Sequence, residues 1–576
     1  MRWYNLKRGE QRNVRTTPYD VRIWERKRFL MNQIKKQIRS LFNIFLALFL
    51  IITGALVYWQ VAQAKYLTDL SYNPRTCVQG NIPQRGTIYD RNGVKLAYSV
   101  PDNNAPCGWK RIYTDPTLAP LIGYYDPTGF GITGLELTYN DILSGQSQPA
   151  NVSIKQGIRN TIAKIEHVTQ HGNDIYLTIN DKIQQIAYAA YAGNDPFILS
   201  HLCYPSVYSS SGEGSILVED PKTGEMLAYV SYPDYNPNTL IDHTPAPDGK
   251  TDPQGIPYTV GQEYFNSLLQ NPNKPLIDQP AADSIIPGSI FKTYTLIAAY
   301  DSGQFNNISS FDQNQANSFT VDGFTINTSN LPSNVTYPVD LSHAYSYSDN
   351  VIFARVASTL GAQTWLSYAS RFGLSYGSNI ATLPFDVPIA NSWIYQSGDN
   401  FDAVALANAG YGQASLQVTP LVMSVIDSSV AAMGNIYAPH VLLKEIPYGT
   451  AATSITSNAP QLLGQYSPQA AQNVLYAMRA DVLYGTIGGG PGAFPTYKNS
   501  PVLMGSKTGT GQVSTSNFSQ EWFISSAPDD TSNPTGNAPR LSIVVNKING
   551  GEGACLVQIA QSIYEQALPL VGYPLS

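Results

Sequence analysis

Asp283-Ser284-Ile285-Ile286-Pro287-Gly288-Ser289-Ile290-Phe291-Lys292-Thr293-Tyr294 is the stretch from which the rest of the chain is read. Pro287 and Gly288 are turn residues that do not extend a helix, and the apolar run behind them (Phe291, Leu296, Ile297, Ala298, Ala299) predicts a buried helix beginning at or near Ser289. Lys292 follows three residues on, one turn along the same face, within reach of the Ser289 hydroxyl. A serine alone is a weak nucleophile near neutral pH. A desolvated lysine of lowered pKa can take its proton, and the free N–H groups of a helix start can stabilise an oxyanion. The pair suits acyl transfer. S-x-x-K arises by chance in a chain of 576 residues, but here it occurs once, and where a helix should start.

A chain of this length holds two or three domains and at least one large core. Its formal charge of −6 conceals a split. Residues 1–40 carry 12 Lys and Arg against Glu10, Asp20 and Glu25, which leaves 23 basic and 38 acidic side chains for the rest. The long acidic part argues against a nucleic-acid surface. Between Leu41 and Trp59 runs an uncharged, mostly apolar segment close to the roughly 20 residues a helix needs to cross a bilayer. It is longer than the apolar part of a secretory signal, and no small-x-small cleavage site directly follows it, so it predicts an uncleaved anchor. Arg26, Lys27, Arg28, Lys35, Lys36 and Arg39 all precede it, which predicts a cytoplasmic N-terminus and a catalytic part on the outer face. In that compartment the four cysteines can be asked whether they pair. Cys77 and Cys107 flank a turn-rich segment and their pairing stays open; Cys203 and Cys555 are expected as buried thiols.

After the anchor, the segment from Asn81 to Ala97 reads as two short strands about an Asn92-Gly93 turn. Gly134-Leu135-Glu136 leads a short helix through Leu143. His167 and His171 are four apart but lack a third ligand, so they read as solvated surface and no metal site is expected. A strand at 175–179, a helix from Asp181 to Ala192 and two strands at 214–219 and 225–232 open a second, larger domain. Residues 235–282 read as long loops; helical patterns follow at 351–371 and 401–432. The last strands are expected at 506–513, 521–526 and 540–547, before a closing helix over 554–568. Strands at both ends of a helical middle predict one α+β domain whose sheet is completed by both termini.

Two further stretches can complete a site. Ser348-Asp349-Asn350 offers a hydroxyl and an amide just before a helix, and Lys507-Thr508-Gly509-Thr510 offers a cation, two hydroxyls and a glycine that lets a ligand lie against a strand. Each is weak alone: serine-x-asparagine recurs at Ser71 to Asn73, and K-T-G at Lys222 to Gly224, where a solvated hairpin turn explains it better. The ordered set is strong, because S-x-x-K, S-D-N and K-T-G together mark penicillin-binding proteins and class A β-lactamases.

On these motifs the chain resembles a class B penicillin-binding protein, a monofunctional peptidoglycan D,D-transpeptidase. R-G-x-I-x-D-R-N-G-x-x-L-A at Arg85 to Ala97 and Gly134-Leu135-Glu136 are similar to that class's pedestal signatures. Gly412-Gln413 through Thr419-Pro420, and Trp522-Phe523 through Ala527-Pro528, are similar to its later ones. Ile290 departs from the threonine more usual in the family, a change expected to touch packing more than chemistry.

The resemblance implies a tail (1–40), an anchor (41–62), a pedestal (63–172) and a transpeptidase domain (173–576) with a central antiparallel sheet flanked by helices, like that of serine β-lactamases. It implies Ser289 as nucleophile and Lys292 as base, Ser348 and Lys507 as proton carriers, and Asn350 orienting the donor amide. Thr508 and Thr510 would bind the terminal carboxylate across Gly509, and the N–H groups of Ser289 and Thr510 would form the oxyanion hole. Stem peptides and β-lactams are the implied ligands, a SEDS-type glycan polymerase the implied partner, and neither metal nor organic cofactor is needed. A β-lactamase would want a glutamate between the second and third motifs. Only Glu445 lies there, without the asparagine that follows four on. A D,D-carboxypeptidase stays open. From another class, a silent scaffold is disfavoured because all three motifs are intact, and a lactam sensor of the kind that carries a cytoplasmic zinc protease because residues 1–40 hold no histidine.

Overall fold

The computed structural model describes residues 18–58 and 84–575, except 104, 106–107, 146–170, 197, 199–211, 252–254, 256, 450–455, 490–496, 498–499, 513–518, 530–537 and 549–552. Cys77, Cys107, Cys203 and His167 lie outside the described residues.

Helix α1 spans Pro18–Val57, 40 residues or about 60 Å. No proline interrupts it after Pro18, and the Lys and Arg ahead of the apolar run are good helix formers, so the helix begins well before the expected anchor. Its stretch Arg28–Ala55 is long and apolar enough to cross a membrane. It belongs to a unit of its own, residues 1–73, separate from the unit of residues 74–576.

The second unit begins with a mixed sheet. Strands β1 (Ile88–Tyr89), β2 (Lys95–Pro101), β3 (Trp109–Tyr113) and β4 (Asp174–Leu177) are joined by two strands from far along the chain, β7 (Leu442–Ile446) and β8 (Thr456–Ser457), in the order β8–β7–β4–β1–β2–β3. The expected break at 172/173 therefore falls just ahead of a strand of this same sheet. The Asn92-Gly93 turn forms as expected, with Gly93 at φ 88° and the Asp90 carboxylate accepting the N–H of Asn92 and Val94. Beneath the sheet the carboxylate of Glu136 is fully buried between two guanidiniums, Arg85 Nε at 2.5 Å and Arg111 Nε at 2.7 Å. Burial alone would raise its pKa; Arg111 and Arg85 hold it below the usual carboxylate range.

The larger sheet is antiparallel, in the order β9 (Gly505–Gln512), β10 (Ser519–Ala527), β11 (Leu541–Ile548), β5 (Gly214–Asp220), β6 (Glu225–Tyr232), so both ends of the domain build it as expected. Alternation assigns its two faces. Leu217, Met226, Tyr229, Trp522, Ile524 and Val544 point into one core. Ile216, Val218, Leu227, Val230, Phe523, Ile543 and Val545 point into the other, under α2 (Asp181–Tyr191) and the closing helix α9 (Val557–Ala567).

Three expectations fail. Residues 235–282 are not continuous loop: α3 (Val260–Gln270) lies there, started by a capping box in which Thr259 and Gln262 exchange side-chain and backbone bonds. The helical segment 401–432 is two helices, Ala403–Ala409 and α7 (Pro420–Ala431), because Pro420 can only begin a helix. Cys555, expected as a thiol, is buried and disulfide-bonded.

Between α7 and the sheet lie two fully buried acids, Glu219 accepting from Ser424 and Asp427 from Ser542. Burial, with Asp427 and Asp220 adding to it against the Ser424 and Ser428 hydroxyls, pushes Glu219 up to about 8. Burial likewise takes Asp427 to about 7. A raised carboxyl contributes stability that is complete below its unfolded pKa, near 4.3, and is lost as pH rises through its folded value. Thermal unfolding between pH 5 and pH 9 should thus show Glu219→Gln losing a few degrees less than the unaltered protein; equal losses in both would refute a protonated Glu219.

Candidate active site

Ser289 sits in a 3-10 turn, Gly288–Phe291, that runs directly into α4 (Lys292–Asp301). Every residue of α4 from Lys292 to Tyr300 is buried, so the helix is a central pillar rather than an amphipathic surface element. The turn is pressed against β9. Gly288 has φ 57°, and a Cβ there would stand 2.5 Å from the Thr510 carbonyl oxygen. A Cβ on Gly412 would meet the Gly288 oxygen at 1.7 Å, and one on Gly511 the Ile286 oxygen at 2.4 Å. Only glycine lets three backbones approach so closely. Ile290 is buried, with its Cγ2 2.9 Å from where a Cβ on Gly509 would be, which is the packing role expected of it.

The Lys292 amine is the hub. Its Nζ lies 2.8 Å from Ser289 Oγ, 2.7 Å from the Ser348 carbonyl oxygen, 3.1 Å from Ser348 Oγ and 2.7 Å from Asn350 Oδ1. Its side chain is completely buried. Burial, reinforced by the nearby Lys507 and opposed by Asp349, pushes its pKa well below the usual lysine range. Donor arithmetic then fixes the arrangement. The Ser348 carbonyl and Asn350 Oδ1 can only accept, and together they use both N–H groups of a neutral amine. The remaining lone pair is left for the Ser289 hydroxyl.

The second motif is bent into place. Ser348, just past α5 (Leu341–Ser346), takes φ 59°, a left-handed conformation unusual for serine, which turns its carbonyl toward Lys292. Asp349 caps helix α6 (Asn350–Leu366) through Ile352 N at 2.8 Å, which places Asn350 at the first helical position. Its other oxygen takes Ser329 Oγ at 2.5 Å and Asn330 N at 3.1 Å, while Asn330 Nδ2 donates to the Ser348 carbonyl at 2.7 Å.

The third motif lies on β9, at an edge of the sheet. Lys507 is buried, its Nζ 2.9 Å from the Thr508 carbonyl and 5.6 Å from the Tyr345 ring centroid. Burial lowers it to about 8, with Asp481 opposing. Asp481, at the end of α8 (Pro468–Leu483), accepts from Ser506 Oγ at 2.7 Å, Thr486 N at 2.8 Å and Thr486 Oγ1 at 2.5 Å. Thr508 is buried and Thr510 exposed.

The structure thus brings together Ser289, Lys292, Ser348 and Asn350 by direct contact, and sets Lys507, Thr508, Gly509 and Thr510 on the strand that abuts the serine turn. The second K-T-G, at Lys222 to Gly224, lies in the β5–β6 turn with Lys222 exposed, as expected. Sequence reasoning missed Ser329, Asn330, Asp481 and Thr486. The first two sit in a polar loop with no pattern to mark them; the only hint of the others was the glycine-rich stretch just after Thr486. Glu445 lies on β7, bound by Asn173 Nδ2 at 2.7 Å within the pedestal sheet, and is no part of this site.

A buried lysine amine in contact with a helix-start serine, beside a second hydroxyl and a second buried lysine, is the make-up of an active-serine acyl-transfer enzyme. Residues 214–536 match the penicillin binding protein transpeptidase domain, and residues 85–171 the penicillin binding protein A dimerisation domain. The chain belongs to the penicillin-binding protein transpeptidase family, and its dimerisation domain ahead of the transpeptidase domain is the class B arrangement. It is 26% identical over 524 residues to the peptidoglycan D,D-transpeptidase PbpA of Mycobacterium tuberculosis, covering 88% of this chain and 94% of that protein. To the peptidoglycan D,D-transpeptidase MrdA of Escherichia coli it is 22% identical, covering 80% and 67%. The structure of M. tuberculosis penicillin-binding protein A as an imipenem acyl-enzyme complex superposes with a TM-score of 0.67 at 25% identity, covering 85% of this chain and 99% of that one.

Gly288→Ala tests the backbone contact. The added Cβ forces the serine turn off β9, and acylation by a fluorescent penicillin should slow by about 100-fold while the thermal transition stays cooperative. An unchanged rate would show that the close approach is not needed.

Proposed function

We propose that this chain cross-links peptidoglycan as a D,D-transpeptidase through an acyl-enzyme on Ser289. The observation that carries the reading is the Lys292 amine, whose two obligate acceptors leave one lone pair facing the Ser289 hydroxyl. Ser289 Oγ attacks the carbonyl carbon of the penultimate D-Ala of a stem peptide as its proton passes to Lys292 Nζ. The tetrahedral oxyanion is met by the N–H groups of Ser289 and Thr510. Collapse breaks the D-Ala–D-Ala amide bond, and a proton carried by way of Ser348 and Lys507 leaves on the departing D-Ala nitrogen. An amine of a neighbouring stem then attacks the ester, forming the cross-link and freeing Ser289. Asn350 orients the donor amide, and the cationic Lys507 with the hydroxyls beyond it receives the terminal carboxylate. β-Lactams enter the same path and stop at the ester.

The position of Glu445 in the pedestal sheet supports transfer over hydrolysis of the class A kind. We read residues 1–40 as a cytoplasmic tail, 41–62 as anchor, 63–172 as pedestal and 173–576 as the transpeptidase domain on the outer face, supported by the basic residues ahead of the apolar run. A SEDS-type glycan polymerase contacting anchor and pedestal is the partner this layout suits.

Purified protein mixed with a fluorescent penicillin should give a long-lived adduct by intact mass that is absent from Ser289→Ala. An adduct that vanishes within seconds while free lactam is consumed would overturn transfer in favour of hydrolysis. The acylation rate should also fall as pH rises through about 8, where Lys507 loses its charge. Lys507→Arg, which does not titrate in this range, should lack that limb; a limb retained in the variant would assign it to another group.

A further inference from the structure

Away from the serine, four carboxylates converge where the pedestal meets helix α2. Asp90 lies just after β1, and Asp115 follows β3 and caps the 3-10 turn Pro116–Leu118. Asp181 is the first residue of α2, and Asp234 lies just beyond β6. Two of the four are satisfied. Asp90 accepts the Asn92 and Val94 N–H groups on one oxygen and Asp181 N at 3.2 Å on the other, and Asp234 accepts the Tyr188 hydroxyl.

Asp115 and Asp181 differ. Asp115 Oδ1 takes Thr117 N at 2.9 Å and Thr117 Oγ1 at 2.8 Å. Asp115 Oδ2 and Asp181 Oδ1, however, are both hidden from solvent, and among the described residues neither has a hydrogen-bond donor. Asp115 as a whole is only 7% exposed. Yet the two carboxyl groups lie within hydrogen-bonding reach of each other. Two acceptors make no bond unless something positive lies between them. Lys95 lines the same cavity of about 550 Å³, but its amine stands over the Tyr98 ring, 5.2 Å from the centroid, and among the described residues it makes no ion pair with any of the four. A shared proton is the competing occupant. Burial, then Asp115 and Asp90, push Asp181 up to about 6, so above that pH the proton is mostly lost and two like charges face each other.

We propose that Asp115 and Asp181 hold a hydrated divalent cation, of the magnesium kind, that fastens the pedestal to helix α2. Magnesium takes hard oxygen ligands and keeps several waters while bound by only one or two carboxylates. Both conditions are met. Among the described residues no group of three ligating side chains converges, so two carboxylates are what the protein supplies. The adjoining cavity has room for the waters, each of which fills about 30 Å³, and Asp234 on its wall can accept hydrogen bonds from them. The ion's two protein ligands sit on different elements, one on the pedestal and one on α2, so it acts as a fastener; the chemistry at Ser289 takes no part in it.

Purified full-length protein stripped of divalent ions, held at about pH 7.5, should melt a few degrees below the same protein in about 5 mM magnesium chloride at matched ionic strength. Asp115→Asn and Asp181→Asn should each abolish that rise. Each should also melt above the unaltered protein when magnesium is withheld, because one of two facing charges is gone. Manganese, a paramagnetic stand-in counted by electron paramagnetic resonance, should bind to the unaltered protein at one equivalent that magnesium displaces and that Asp181→Asn lacks. No magnesium-dependent rise and no displaceable manganese in the unaltered protein overturns the proposal, and that result needs no variant to fold. A rise kept in full by both folded variants places the ion elsewhere and overturns it as well. A gain in stability that acidification through pH 6 supplies and magnesium does not assigns the pair to a shared proton, against the proposal.

Discussion

The complete burial of the Lys292 side chain is the condition on which the rest of this site depends. A lysine that is fully buried and close to a second buried lysine cannot hold a proton cheaply, and a neutral amine is what Ser289 requires. To keep water out, the helix carrying Lys292 is covered on all sides, by α6, α7 and α8 among others. The polar side chains that follow Lys292 on that helix are each partnered: Thr293 with the Tyr345 hydroxyl, Tyr294 with the Trp365 carbonyl and Thr295 with the Gly410 carbonyl. The Ser348 carbonyl is aimed at the amine by a left-handed residue and steadied from behind by Asn330. That strain is tolerable because Asp349 ties the same segment to both a helix start and the loop at 329–330.

A second constraint is the distance between backbones. The turn bearing Ser289, the loop at Gly412 and the edge strand β9 approach until any side-chain carbon at Gly288, Gly412 or Gly511 would collide with a carbonyl. Trp522 Nε1 and Gln520 Oε1, on the neighbouring strand, hold the two polar groups of Ile286 at 2.9 Å each. The Ser289 turn is thereby referenced to the sheet by main chain, which is stiffer than side-chain packing and suits a reaction needing fixed geometry.

The pedestal and the catalytic domain are likewise not two beads on a string. β7 and β8 come from beyond residue 440 and complete the sheet that β1 to β4 begin. The family's G-L-E and R-G residues meet as a buried Glu136 held by Arg85 and Arg111. An ion cluster of this kind is costly to build and more costly to break by losing one partner, so it fixes the relation of the helix at Gly134 to the first strand.

Much of this was legible along the chain. The serine turn, the two halves of the large sheet, the Asn92-Gly93 hairpin and the three motifs all depend on neighbours in sequence: turn residues, alternation and short spacings. The Thr259 to Gln262 capping box was equally local, and its helix was missed because the surrounding Pro, Asn and Gly dominated the reading. Pro420, too, announced a helix start inside a segment taken as continuous. What no local pattern carried was partnership across distance. β4 pairs with strand 442–446, Ser329 and Asn330 clamp Ser348, and Asp481 reaches the K-T-G strand through Thr486; Cys555 is bonded rather than free. By itself the sequence determined which groups of the chemistry are present and in what order. The tertiary structure decided which of them touch and how deeply each is buried, because both follow from neighbours that lie dozens to hundreds of residues away.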